Sequence, residues 1–242
     1  MVIENVIKLM PAFDKDEVAV KNRLIPKDAA TLVLVRRDKD GPRVLMGQRH
    51  GGMAFMANKY VFPGGRVDPG DQRIALGGAL RPHVEARLTK GASAARARGL
   101  ALAAIRETFE EAGVLVGERA ADFPRTKNVA WQRFFAHGIA PRLDALEFIA
   151  RAITPPNRTR RFDARFFMAD ASAIAHVLDA AHTDELLTPC WLTLTEARAL
   201  DLPSITRIVL DEAEARIGDG TDASRPVPFF RFQGGKSRMS HL

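Results

Sequence analysis

Between residues 100 and 113 the sequence reads LALAAIRETFEEAG, and this stretch limits the possible folds more than any other. At 100° per residue, Leu102, Ile105, Phe109 and Ala112 fall on one side of a helix and Glu107, Glu110 and Glu111 on the other. The spacing predicts a helix over 100–112 that stops at Gly113, a residue suited to the left-handed C′ position. One face must pack. The opposite face brings three carboxylates within about one turn, and like charges that close repel at neutral pH. A solvated acidic face is one reading of this pattern. The other is a cation site, because hard divalent ions such as Mg²⁺ take oxygen ligands and bind through a few carboxylates plus substrate phosphate oxygens. Arg106, four residues before Glu110, can hold that side chain through a forked hydrogen bond.

The remaining pattern alternates strands and helices. Residues 30–36 (ATLVLVR) and 43–48 (RVLMGQ) flank the turn cluster Asp38-Lys39-Asp40-Gly41-Pro42 and read as a hairpin. Tyr60-Val61-Phe62 reads as a short strand stopped by Pro63-Gly64-Gly65, where proline removes a donor and the glycines allow unusual backbone angles. Residues 68–99 look loop-like and basic. Strands are expected at 114–116, 165–168 and 190–194, and helices at 129–137, 143–152, 171–181 and 195–200, with a surface helix at 205–217. Residues 218–242 read as a loose tail. The interleaving indicates an α/β or α+β domain.

Composition narrows the class. The chain has 242 residues, 46% of them hydrophobic, and 36 Lys and Arg against 29 Asp and Glu, a formal net charge of +7. That excludes disordered, collagen-like and disulfide-stapled chains and fits one decorated domain. The single cysteine, Cys190, suits a reducing compartment. The first 20 residues lack a basic segment followed by a long apolar run, and no stretch approaches ~18 consecutive apolar residues. A soluble, cytoplasmic protein is expected, with no membrane partner. The six histidines, among them His182, show no zinc-hydrolase spacing. The glycines form no dinucleotide or phosphate-loop fingerprint, and no basic segment interleaved with aromatics points to nucleic acid.

With Phe62-Pro63-Gly64-Gly65 upstream and Arg106-Glu107-Thr108-Phe109-Glu110-Glu111-Ala112-Gly113-Val114 downstream, the sequence resembles the Nudix hydrolase family. That family carries the signature G-x5-E-x7-R-E-U-x-E-E-x-G-U, where U is aliphatic. Gly65 fits the first glycine. Asp71 stands at the first acidic position, Thr108 in an aliphatic slot, and 34 residues lie between Asp71 and Arg106 where the signature has seven. Lengthening a surface loop by this much costs only about 1–2 kcal/mol of closure entropy. The chain is similar to a branch with such an insertion, which also carries a stretch like Ile153 to Phe167 (ITPPNRTRRFDARFF).

The resemblance implies a mixed sheet between helices. It implies one Nudix domain over 1–217, with a helical insertion at about 72–98. It also implies Mg²⁺- or Mn²⁺-dependent hydrolysis of a diphosphate in a nucleotide-derived small molecule. The Gly65 carbonyl, Glu107, Glu110 and Glu111 would be metal ligands, Arg106 their partner, and Glu107 a candidate base. Glu185, before the 190–194 strand, is a candidate ligand or base, or else a surface carboxylate. The branch includes coenzyme A diphosphatases, whose upstream motif L-L-T-x-R-S-x3-R-x3-G is met at Leu45 and Arg49 but not at Ala54 or Asn58. Arg49 is a candidate phosphate clamp or else an ordinary exposed strand-end arginine, and Arg161, in the basic run 158–165, a candidate substrate contact or else part of a solvated face. A silent Nudix module that binds a nucleotide or partner protein as a sensor is the alternative, and a homodimer is compatible with either. The terminal Ser240-His241-Leu242 resembles a peroxisomal address, which applies only in a eukaryote.

Overall fold

The computed structural model describes residues 24–53, 56–156, 158–181, 183–219 and 223–242. The amino-terminal segment read above, Ala54 and His182 lie outside the described residues. In chain order the elements are β1 (Lys27–Asp38), β2 (Gly41–Arg49), β3 (Tyr60–Val61), β4 (Gly64–Arg66), α1 (Pro82–Leu88) and α2 (Ala94–Ala112). β5 (Val114–Arg119), α3 (Val129–Phe135), β6 (Ile139–Pro141), β7 (Glu147–Ile153), β8 (Phe162–Asp170) and β9 (Ile174–Val177) follow. The last are β10 (Leu186–Thr193), α4 (Leu194–Ala199), α5 (Ser204–Asp219), β11 (Pro228–Gln233) and β12 (Lys236–His241).

The main sheet runs β10-β2-β1-β8-β7-β11-β12, with β3 joined to β2 and β4 to β1. It is mixed, because β1 lies parallel to β8 and β7 parallel to β11, whereas β1 and β2 form the expected antiparallel hairpin. Side chains alternate along β1. Ala30, Leu32 and Leu34 enter a core shared with α2 and α3, while Val33 and Val35 enter a second core with Leu194, Ala197, Val209, Leu210 and Ala213 of α4 and α5. The result is a mixed sheet between helices, as expected. A smaller sheet, β6-β5-β9, packs beyond the carboxyl end of α2. Among the described residues no helix is long and apolar enough to cross a membrane.

Several elements differ from the sequence reading, each for a physical reason. The box helix begins at Ala94, six residues before the expected start, capped by Ser93, whose Oγ accepts the Arg96 N–H at 3.3 Å. Gly99 does not end it: a Cβ there would lie 2.5 Å from the Gln72 side chain, so the glycine lets the preceding loop approach. The helix is also buried almost all round, Glu111 included, so the three carboxylates do not share one outward face. Residues 143–152 are not a helix but a short 3-10 turn and then β7, and a strand paired on both sides carries a continuous apolar run that periodicity confuses with a buried helix. Residues 171–181 likewise give a 3-10 turn and β9, paired with β5.

The region after residue 217 is not a loose tail. β11 and β12 form a hairpin that extends the main sheet, with Phe229 and Phe230 buried and the Arg151 guanidinium 4.3 Å over the Phe229 ring. The 205–217 helix also buries Val209, Leu210 and Ala213, so one side of it is core. The insertion carries α1, which begins with Pro82 and buries Val84 and Leu88.

Candidate active site

The site starts from the glycine turn. β4 pairs with β1 so that Gly64 lies opposite Thr31 and Gly65 opposite Ala30. A Cβ on Gly64 would stand 2.5 Å from Thr31 Oγ1, and one on Gly65 2.5 Å from the Glu107 carboxylate. A side chain at Gly64 would meet the β1 backbone, and one at Gly65 would displace the Glu107 carboxylate. The backbone of the turn is thereby pressed onto the box helix, and the Gly64 N–H donates to Glu111 Oε2 at 2.8 Å.

Arg106 is the hub of the cluster. Its Nε and Nη2 donate to Asp71 Oδ1 and Oδ2 at 2.8 and 3.0 Å, and Nη2 also reaches the Arg66 carbonyl at 2.8 Å. Nη1 meets Glu110 Oε2 at 2.5 Å and Glu107 Oε1 at 2.8 Å. Burial alone would lower the guanidinium pKa. The hydrogen-bonded Asp71 and the charge of Glu107 outweigh that and raise it above its ordinary value. Asp71, at 0% exposure, thus serves Arg106 from within the protein.

Glu111 is 2% exposed, and burial, reinforced by the charges of Glu107 and Glu185, pushes its carboxyl up to about 8. Burial likewise pushes Glu107 up to about 7; Arg106 opposes the shift and Glu110 adds to it. On the β2 side, Arg49 Nη1 stands 3.9 Å from Glu111 Oε1, while Arg49 Nε is buried with no hydrogen-bond partner among the described residues. Leu186 pairs with Arg49, and the His50 N–H donates to the Glu185 carbonyl at 3.0 Å, so Glu185 sits beside the same strand end.

The fold therefore gathers Gly65, Arg106, Glu107, Glu110, Glu111, Arg49 and Glu185, the expected set save one. Arg161 is placed elsewhere: its Nε and Nη1 donate to the carbonyls of Thr154 and Leu24 at 3.0 and 2.6 Å, a backbone clasp beside the start of β8. Arg165, in the same basic run, is buried between Asp28 and Asp163. Two contributors escaped the sequence reading. The Gly64 N–H is backbone, and Trp131, whose indole meets Asp71, lies 60 residues from its partner. The stripe Trp131, Phe134 and Phe135 signals a packed helix face, but no spacing ties it to the box.

Among the described residues no three His, Cys, Asp or Glu side chains converge on one point that could hold a metal ion. Glu107 and Glu110 are instead neutralised by the one Arg106 nitrogen. In chemistry the donor set fits a hard divalent cation: three glutamates and a backbone carbonyl are all oxygen donors, and the Gly65 cradle brings that backbone against Glu107.

No protein-family model and no curated protein matches the chain. Solved structures do. A Nudix hydrolase from Alicyclobacillus acidocaldarius is similar over 80% of this chain and 96% of its own, with a TM-score of 0.60 and 28% identity. A C. elegans Ap4A hydrolase is 16% identical over 80% of this chain and all of its own, with a TM-score of 0.42. The Nudix domain of Shewanella oneidensis NrtR, solved with ADP ribose, is 12% identical over 80% and 90%, with a TM-score of 0.46. A mixed sheet that delivers a glycine turn onto an Arg-Glu-x-x-Glu-Glu helix, together with the Alicyclobacillus likeness, leads to one conclusion: the chain belongs to the Nudix hydrolase superfamily.

Proposed function

We propose that the protein hydrolyses a diphosphate linkage in a nucleotide-derived substrate with Mg²⁺ or Mn²⁺, and that coenzyme A or an acyl derivative is the first substrate to test. The observation that carries this reading is the Gly65 backbone seated against Glu107, beside Glu110 and the buried Glu111. Coenzyme A is placed first because Leu45 and Arg49 stand at two positions of the motif of its hydrolases.

Glu107, Glu110, Glu111 and the Gly65 carbonyl would hold the metal. When bound, such ions neutralise diphosphate oxygens and lower the pKa of a coordinated water. Arg106 fixes the orientation of Glu107 and Glu110. Either Glu107, on the box helix, or Glu185, beside the end of β2, would accept the proton of the attacking water. Arg49 offers a buried Nε–H at the rim that has no partner among the described residues, and a phosphate oxygen of the substrate would satisfy it. The test is a panel of intact diphosphates, including coenzyme A, acyl derivatives, nucleotide sugars and dinucleotides, incubated in H₂¹⁸O with Mn²⁺. One product should carry a single ¹⁸O on a phosphate and so identify substrate and scission site. No cleavage of any member at saturating Mn²⁺ overturns the proposal and favours a binding module.

The same carboxylates make stability depend on pH and metal. Without divalent ions the folded chain holds protons on Glu107 and Glu111 up to about 7 and 8, whereas an unfolded glutamate releases its proton near 4.5. The unfolded state therefore binds fewer protons across that window, so folding stability falls as pH rises from about 4.5 to 8. In EDTA the Tm should drop from pH 5 to pH 8. Mg²⁺ should raise it much more at pH 8 than at pH 5, and binding at pH 7 should release roughly one to two protons per ion by calorimetry in buffers of different ionisation enthalpy. A metal response independent of pH would contradict this linkage.

A further inference from the structure

We propose that Trp131, which lies outside the box and 60 residues from Asp71, is a positioning residue for the metal-binding carboxylates, acting through Asp71 and Arg106. The inference rests on the hydrolase reading above. An ionised carboxylate offers about four acceptor sites, and those of Asp71 are filled by four donors. Oδ1 accepts Arg106 Nε–H and Trp131 Nε1–H, both at 2.8 Å, and Oδ2 accepts Arg106 Nη2–H at 3.0 Å and the Asp68 N–H at 2.8 Å. A carboxylate saturated in this way has one orientation, and it sets the plane of the guanidinium that hydrogen-bonds it twice. That plane in turn aims Nη1 at Glu107 and Glu110.

The indole is itself held firmly. Trp131 is fully buried, stacks on Phe135 with ring centroids 5.5 Å apart, and lies 5.2 Å from Phe134, whose ring meets Phe109 of the box helix edge-on at 5.3 Å. The Trp131 backbone N–H donates to Asn128 Oδ1 at 3.0 Å, and a Cβ on Gly70 would approach Asn128 Cβ at 3.1 Å, so the loop carrying Asp71 rests directly on the start of α3. At this position the family signature has glutamate. Aspartate is one methylene shorter, and the donor from α3 locks the shorter side chain in place.

Two replacements separate the hydrogen bond from the packing. Trp131→Phe removes the indole N–H and part of the ring; β-(3-benzothienyl)alanine introduced at position 131 keeps the bicyclic shape and removes only the donor. Mn²⁺ affinity is read from the signal of free Mn²⁺ in electron paramagnetic resonance, with kcat measured over a Mn²⁺ series. Both replacements are expected to weaken Mn²⁺ binding by about 10-fold or more, with kcat at saturating Mn²⁺ returning close to the unsubstituted value. Unchanged Mn²⁺ affinity in the benzothienyl protein overturns the proposal, whatever the phenylalanine variant does. A loss of affinity confined to Trp131→Phe assigns the residue a packing role and overturns it equally. If the unsubstituted protein binds no Mn²⁺, the hydrolase reading itself fails, and that result is distinct from the other two.

Discussion

Glu111→Gln is expected to lower kcat by about 10³-fold while the protein stays folded, because several kcal/mol of electrostatic stabilisation at the phosphoryl group depends on carboxylates that hold the metal. Glutamine keeps the length of the side chain and can still accept the Gly64 N–H, now made at 2.8 Å, so the contact between the glycine turn and the helix survives. What changes is charge. Glu111 sits almost without exposure beside Glu107, with Arg49 3.9 Å away as its nearest cation, so its ionised form is costly in the absence of a divalent ion. Neutralising it should leave Tm in EDTA at pH 8 unchanged or higher while abolishing most of the stabilisation by Mg²⁺. Steady-state kinetics together with thermal melts with and without Mg²⁺ check both halves. A variant that retains full turnover removes Glu111 from the mechanism. One that loses turnover only by unfolding assigns it a structural role.

The parts of this site that could be read from sequence are those whose geometry is local. Glu107, Glu110 and Glu111 lie within a turn of one helix, and Arg106 reaches Glu110 by i, i+4 spacing, so period alone places them. Pro63-Gly64-Gly65 marks a turn by its backbone chemistry, and passing over the five residues after Gly65 reaches Asp71. Period does not show what covers a helix face. The side turned away from Leu102 and Phe109 is covered in part by the glycine turn and the Asp71 loop, which leave Glu107 and Glu110 half-buried, bury Glu111 and so decide its desolvation. Long-range partners are invisible in the same way: Trp131 meets Asp71 only because α3 folds back over the box helix. The misread elements share one cause. Leu143 to Ala152 and Ala171 to Ala181 are apolar runs with mixed periodicity, and it is pairing to β8, β11 and β5, formed only in the tertiary fold, that makes β7 and β9 strands. Phe229 and Phe230 follow a Gly- and Asp-rich stretch that hides a hairpin whose stability comes from β7.

Arg106→Met should be the most destabilising single change in the site, at about 3–5 kcal/mol, because removing one partner of a buried ionic network strands the others. Asp71 would be left fully buried with Trp131 Nε1–H and the Asp68 N–H as its remaining donors, and Glu107 and Glu110 would lose the cation now between them. For a chain of this length the deficit corresponds to a fall in Tm of roughly 10 °C or more, and it should be accompanied by loss of Mn²⁺ binding. The double variant Arg106→Met with Asp71→Asn separates stranded charge from lost packing, since methionine retains most of the apolar stem and asparagine the shape of the carboxylate. If uncompensated charge dominates, the double variant is more stable than Arg106→Met alone, with a coupling energy of about 1–3 kcal/mol in the cycle of denaturant melts. Additive losses would instead mean that the two residues stabilise the fold independently, and Asp71 would then no longer be the anchor that holds Arg106 against the glutamates.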